Sequence, residues 1–302
     1  MNLGNIRDVR QREFANKWLE SNRYSILLLS PRMGKCKVGI NIMEKMNHPR
    51  TLICYPDIKI RKSWEDDFEK FGFDNSNITF STYLSLHKQL NEIYDLIIYD
   101  EVHSLSENQI ELSKELFLTN KTVLALTGTL ADDTRYTLKQ ELGLDVLATY
   151  PIEQAIKEGV VSNFQINVVK VPLDNKIKQY KGKTEKQKFD AYTYLIDKFE
   201  SEGKDSKFMR LNRMRIIQNS LAKKNATKLI LERNPEERIL VFAGLKKIAD
   251  DLGIDSFHSE TKDVTLLHKF ASGEGNKLAV IRMGSAGITF KPLNQVVISY
   301  LS

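Results

Sequence analysis

Short apolar runs at 26–29, 51–55, 78–80, 96–99 and 123–126 recur along the first half of this chain, each separated from the next by a longer amphipathic stretch. That alternation is the cadence of a parallel sheet joined by crossover helices, because parallel neighbours need a long connection and a helix is the usual one. A second series starts near 166–171 and continues at 239–242, 254–257, 278–281 and 296–299. The expected class is therefore α/β with two lobes, residues 1–148 and 166–302. Between them, 149–165 reads as a linker whose Thr149-Tyr150-Pro151-Ile152 start is a Pro-broken helix entry ending at Gly159. A length of 302 residues agrees with two cores of ordinary size.

Two of the predicted strands end in chemistry. The run Ile26 to Leu29 is followed by Ser30-Pro31-Arg32-Met33-Gly34-Lys35-Cys36, and Leu96 to Tyr99 by Asp100-Glu101-Val102-His103. A Gly-Lys turn after a buried strand offers backbone N–H groups, a helix N-terminus and an ammonium to phosphate oxygens. Two carboxylates at the tip of a buried strand must lie at the exposed sheet edge. There Asp100 is suited to hold magnesium and Glu101 to orient or deprotonate an attacking water. Together they predict a nucleoside triphosphate, ATP, with Mg2+. Arg32 stands where a phosphate loop usually has its first glycine, and Cys36 stands in the place of the usual magnesium-ligating hydroxyl. A thiol is a soft, poor ligand for that ion.

The net charge of +6 is unevenly spread. Residues 176–224 hold fourteen Lys/Arg against six Asp/Glu, a local net of +8. Phe189, Tyr192, Ile196 and Phe199 fall at helical spacing, as do Leu211, Met214, Ile217 and Leu221, so each stretch is expected to bury one face. Arg210, Arg213 and Arg215 are then left on other faces, available to a polyanion. Two cysteines without CxxC spacing and without a His/Cys cluster argue against a zinc site or disulfide framework. No 18-residue apolar stretch and no secretory leader are read, so the expectation is no membrane and a cytoplasmic location.

On these residues the chain resembles superfamily 2 helicases and translocases of the DExH-box sort, and its motifs follow the family's order. Gln11 lies in a stretch similar to the glutamine motif that reads adenine. Thr51 to Pro56, with Trp64 and Phe68, resembles motif Ia of Swi/Snf-like and phage motors. Ser81-Thr82-Tyr83 resembles motif Ib and Thr127-Gly128-Thr129 motif III. Ile239 to Phe242 is similar to motif IV, and Gly284-Ser285-Ala286-Gly287-Ile288-Thr289 to motif V. The phosphate loop resembles phage-encoded members, for which the location would be the host cytoplasm.

The resemblance implies two RecA-like lobes with parallel sheets flanked by helices. It assigns Lys35, Asp100, Glu101 and His103 to catalysis, and Gln11, Arg32, Met33, Gly34, Lys35, Cys36 and Gly287 to ATP. Cys36 and Asp100 fall at the metal position, and Thr127, Gly128 and Thr129 at coupling. Pro56, Thr82, Arg210, Arg213, Arg215, Gly284 and Ser285 fall on nucleic acid. His103 would be a sensor between the γ-phosphate and motif III. No arginine motif VI is read before Ser302, so the second lobe is expected to be incomplete at its C-terminus, with those arginines supplied by a missing segment or a second polypeptide. The implied function is an ATP-dependent DNA helicase or translocase. A catalytically impaired nucleic-acid-binding relative and an RNA helicase stand as alternatives.

Overall fold

The computed structural model describes residues 3–178, 182–261, 264–281 and 290–299. The chain divides into two units, Met1–Ile166 and Asn167–Ser302. In the first, the elements run α1 (Leu3–Leu19), β1 (Tyr24–Leu29), α2 (Lys35–Lys45), β2 (Thr51–Tyr55), α3 (Ile58–Phe71), β3 (Ile78–Thr82), β4 (Leu96–Asp100), α4 (Glu107–Thr119), β5 (Val123–Thr127), α5 (Asp132–Leu142), β6 (Val146–Tyr150) and α6 (Ile152–Lys157). The six strands form one parallel sheet in the order β3-β2-β4-β5-β1-β6.

Period-2 geometry sends alternate strand residues to opposite faces, and helices cover both. Leu27, Leu29, Ile98, Leu124 and Leu126 pack with Trp18 of α1, Val38 of α2, Trp64 and Phe68 of α3 and Ala155 of α6. Ile26, Ile97, Tyr99, Val123 and Ala125 pack the other way, with Phe117 of α4 and Leu138 of α5. Two-sided burial is why these strands read as unbroken apolar runs. Local signals agree: Asp57 caps α3 by accepting from the Lys59 N–H, Ser106 and Gln109 form a capping box on α4, and Gly72 and Gly143 end their helices at positive φ.

The second unit contains α7 (Glu185–Ser201), α8 (Lys207–Gln218), α9 (Leu221–Arg233), β7 (Ile239–Phe242), α10 (Lys246–Asp250), β8 (Asp255–Phe257), α11 (Thr265–Ser272), β9 (Lys277–Val280) and β10 (Gln295–Ile298). Its parallel sheet is ordered β10-β7-β9-β8. Ile239, Val241 and Ala279 pack toward α9 and α10, and Leu240, Leu278 and Val280 toward α11.

Three sequence expectations change. Residues 166–171 form no strand: they lack regular structure, and Ile166, Val168 and Val169 are exposed. Alternation gives a segment a strand-like face but not a ladder to join. The start of the expected linker is instead β6, paired with β1, and α6 follows within the first unit. The second basic helix, α8, buries none of its residues, and Leu211, Met214 and Ile217 are each more than a third exposed.

The last turn of α6 is tied to α1 by a carboxylate. Glu158 accepts from Arg10 Nε at 3.1 Å and Nη2 at 2.5 Å, from Tyr150 Oη at 2.9 Å and from Gln154 Nε2 at 2.9 Å. The Arg10 hydrogen bonds, aided by those of Gln154 and Tyr150, hold the Glu158 carboxyl down at about 2. A depressed carboxyl pKa adds stability above the unfolded value near 4.5, and that stability is lost as pH falls toward the folded value. Glu158→Gln is therefore expected to lower unfolding stability by about 1 kcal/mol at pH 7, a modest figure because water screens the partly exposed pair. Urea titrations should find the difference between the two proteins shrinking by pH 3.

Candidate nucleotide site

β1, β5 and β4 lie side by side and end together: Leu28 is in register with Thr127, and Leu126 with Asp100. Their carboxyl ends therefore bring the turn 30–34, the pair Asp100-Glu101 and the turn 127–129 to one sheet edge, the usual place for a ligand in an open α/β sheet. The first turn is closed by the Met33 N–H donating to the Ser30 carbonyl at 3.3 Å and carries left-handed backbone at Arg32 and Gly34. Gly34 is required there. Its φ is +83°, and a Cβ would stand 2.5 Å from Gln11 Nε2. Lys35 then opens α2, so the helix N-terminus faces the same edge.

Lys35 Nζ binds Glu101 Oε1 and lies 4.0 Å from Asp100 Oδ1. A Cβ built on Gly128 would stand 3.7 Å from that ammonium, so the β5 turn borders it. Glu101 itself adopts left-handed backbone, φ +56°. Asp100 is almost wholly buried, with Trp64 Nε1 donating to its Oδ2 at 2.9 Å and Tyr83 Oη donating to its carbonyl at 2.6 Å. Its Oδ1 is buried and, among the described residues, has no hydrogen-bond partner. Burial pushes the Asp100 carboxyl up, against the pull of the neighbouring Lys35.

His103 joins the strand ends. Its Nδ1 is 2.7 Å from Thr127 Oγ1 and 3.4 Å from Glu101 Oε2. Thr127 Oγ1 donates to the Thr129 carbonyl at 2.7 Å, so the tautomer that satisfies both contacts carries its proton on Nδ1. A chain of polar contacts thus runs from Glu101 through His103 to Thr127 and Thr129.

A buried carboxylate oxygen lacking a donor, at an edge lined with phosphate-binding groups, fits a magnesium ion that keeps most of its waters. Cys36 does not fit that role. It is buried, and burial, with the Asp100 and Asp67 charges, pushes its thiol well above the ordinary range, so the sulfur stays protonated.

Gln11 is buried on α1, and its Nε2 donates to the Met33 carbonyl at 2.7 Å. That bond leaves the side-chain carbonyl oxygen as the acceptor. Beside it opens a cleft of about 400 Å³ whose lining includes Asp8, Gln11, Arg12, Lys37, Glu44 and Phe71, with Lys37 Nζ 4.3 Å from the centre of the Phe71 ring. Of these only Gln11 was expected; Phe71 gives no sequence signal beyond its place before the helix-ending Gly72. Pro56 and Thr82 follow or end β2 and β3, at the same sheet edge.

In the second unit, Arg210 of α8 pairs with Glu200 at 2.5 Å, and the Arg213 guanidinium stacks 5.5 Å from the Phe189 ring. Arg215 is exposed and, among the described residues, has no ion pair. Gly284, Ser285 and Gly287 lie outside the described residues.

Residues 6–132 match the family described as type III restriction enzyme, res subunit (ResIII). The DNA 3'-5' translocase XPB2 of Sulfurisphaera tokodaii is 26% identical over 263 residues, which cover 77% of this chain and 59% of that protein. The chain thus spans about three fifths of that relative's length. The Hef helicase domain of Pyrococcus furiosus aligns with 98% of this chain and 91% of its own, at a TM-score of 0.54 and 13% identity. The ATP-dependent Type ISP restriction-modification enzyme LlaBIII, solved bound to DNA, aligns with 95% of this chain and 25% of its own, at 0.57 and 13%. With two parallel α/β units like helicase RecA-like domains, and the ResIII match lying in the first, the chain has the superfamily 2 helicase-like fold.

Proposed function

We propose that this chain is an ATPase of the helicase and translocase type that works on DNA. One observation carries the reading: the ends of β1, β4 and β5 gather Lys35, Asp100, Glu101, His103 and Thr127 into a single polar constellation at the sheet edge.

Adenine is assigned to the cleft beside Gln11, whose free carbonyl oxygen accepts from the exocyclic amine while Phe71 and Arg12 supply flat surfaces. The turn 30–34 and the α2 N-terminus present N–H groups to the phosphates. Lys35 exchanges its Glu101 partner for the β and γ phosphate oxygens. The released Glu101 carboxylate then faces the attacking water as orienter and proton acceptor. Magnesium, held through Asp100 Oδ1, would neutralise charge on the phosphate oxygens. His103 senses whether Glu101 is paired or released and passes that state to Thr127 and Thr129.

DNA is favoured because the relatives above include a protein named as a DNA translocase and an enzyme solved on DNA. The basic segment 176–224 is the expected grip on phosphates, with Arg215 the arginine least committed within its own unit. Motif V residues Gly284 and Ser285 are assigned to the same track and Gly287 to the nucleotide. An ammonium or guanidinium that displaces counterions gives binding that weakens steeply with salt.

Hydrolysis of ATP by the chain, measured alone and with single-stranded DNA, double-stranded DNA and RNA, tests the reading. Turnover raised by DNA is expected, with DNA affinity falling at least tenfold between 50 and 200 mM salt. Stimulation by RNA alone would replace DNA as the track. Absence of both nucleotide binding and turnover would overturn the function.

A further inference from the structure

Trp64 is fully buried on α3, yet its indole N–H is spent on one atom, Asp100 Oδ2, at 2.9 Å. Two tryptophans occur in the chain, and the other, Trp18, is buried with its Nε1 unpartnered among the described residues. The ring is also seated closely. A Cβ on Gly39 of α2 would come within 2.6 Å of Trp64 Cη2, so the helix that carries the phosphate turn has a glycine where the indole passes.

A carboxylate has one main freedom at its tip, rotation that exchanges its two oxygens. Trp64 Nε1 holds Oδ2 and turns Oδ1 toward Lys35, the side on which Oδ1 is buried without a donor. Tyr83 Oη fixes the Asp100 carbonyl from the 3₁₀ turn after β3, and Trp64 is the side chain that donates to the carboxylate. We infer that Trp64 is a positioning residue for the metal site: its indole N–H locks the Asp100 carboxylate so that one oxygen is presented to the magnesium ion of the nucleotide. This rests on the reading of Asp100 as the metal-holding residue and extends it to a side chain that touches neither metal nor nucleotide.

The inference separates metal affinity from nucleotide affinity. Trp64→Phe removes the donor together with the part of the indole that lies against Gly39, so nucleotide affinity without magnesium serves as the control for lost packing. With fluorescent mant-ADP as probe and MgCl2 titrated from an EDTA-treated start, the variant should bind the nucleotide without magnesium within twofold of wild type. Its magnesium half-saturation should rise about tenfold, the worth of one hydrogen bond to a charged group. Asp100→Asn run beside it should lose the magnesium response altogether. An unchanged half-saturation in Trp64→Phe, with Asp100→Asn impaired, overturns the role of Trp64 while leaving the site assignment standing. No magnesium response in wild type, or a normal one in Asp100→Asn, overturns the site assignment and this inference with it.

A second measurement leaves Trp64 itself unchanged. In the 15N-labelled protein the two indole N–H resonances are assigned with Trp18→Phe. The Trp64 signal should move when MgCl2 is added to the ADP-bound protein, and the Trp18 signal should not. A Trp64 resonance indifferent to magnesium would sink the proposal.

Discussion

Glu101→Gln is expected to lower the rate of ATP hydrolysis by about 10² to 10⁴, the usual worth of a positioned general base, while leaving nucleotide binding intact or tighter. The second half of that expectation comes from the geometry. The Glu101 carboxylate is the ionic partner of Lys35, so ATP must displace it to reach the ammonium. A neutral amide competes less well. The variant should therefore show a lower Kd for a mant-labelled nucleotide together with a collapsed single-turnover rate. His103 supplies a control: its contact with Thr127 does not depend on the Glu101 charge, so the variant should stay folded with an unchanged melting profile. A turnover rate within tenfold of wild type would remove Glu101 from the chemistry.

Much of the first unit was legible because of how its sheet is buried. Strands covered on both faces appear as unbroken apolar runs, and β1, β2, β4 and β5 were read within a residue or two of their observed bounds. Charges that follow such runs directly must lie at a sheet edge. Hence Lys35, Asp100 and Glu101 could be singled out, although only the structure shows that they converge. Runs on the fringe misled. Thr149 and Tyr150 were absorbed into a linker because Pro151 follows them, yet they complete β6 on the open side of β1. Residues 166–171 had the alternation of a strand and no ladder to join.

What stayed hidden was what depends on distant contacts. Trp64 and Asp100 are 36 positions apart, and no local pattern announces that an indole will donate to that carboxylate. The Gln11 bond to the Met33 carbonyl, the Phe71 wall of the cleft and the solvent-exposed apolar row of α8 are likewise properties of packing. For α8 the periodicity was present, but periodicity indicates only that a face exists and not that anything covers it.

Lys35→Ala is expected to have the widest effect, because Lys35 serves three partners: Glu101, Asp100 and the phosphates assigned to the turn. Without it the edge holds two carboxylates and no ammonium between them. Asp100, already pushed up by burial, loses the group that pulls its carboxyl down, so its pKa should climb further. A buried carboxyl with a raised folded pKa costs stability as pH rises past its unfolded value. The nucleotide-free variant should thus be less stable than wild type at pH 7 and approach it near pH 4. The loss of charge toward the phosphates should lower kcat/KM for ATP by about 10³ or more, on the scale of a lost cationic contact in phosphoryl transfer. Turnover and nucleotide affinity measured from pH 6 to 9, beside thermal melts from pH 4 to 8, test both halves. Wild-type turnover in Lys35→Ala would show that the β1 turn does not hold the phosphates.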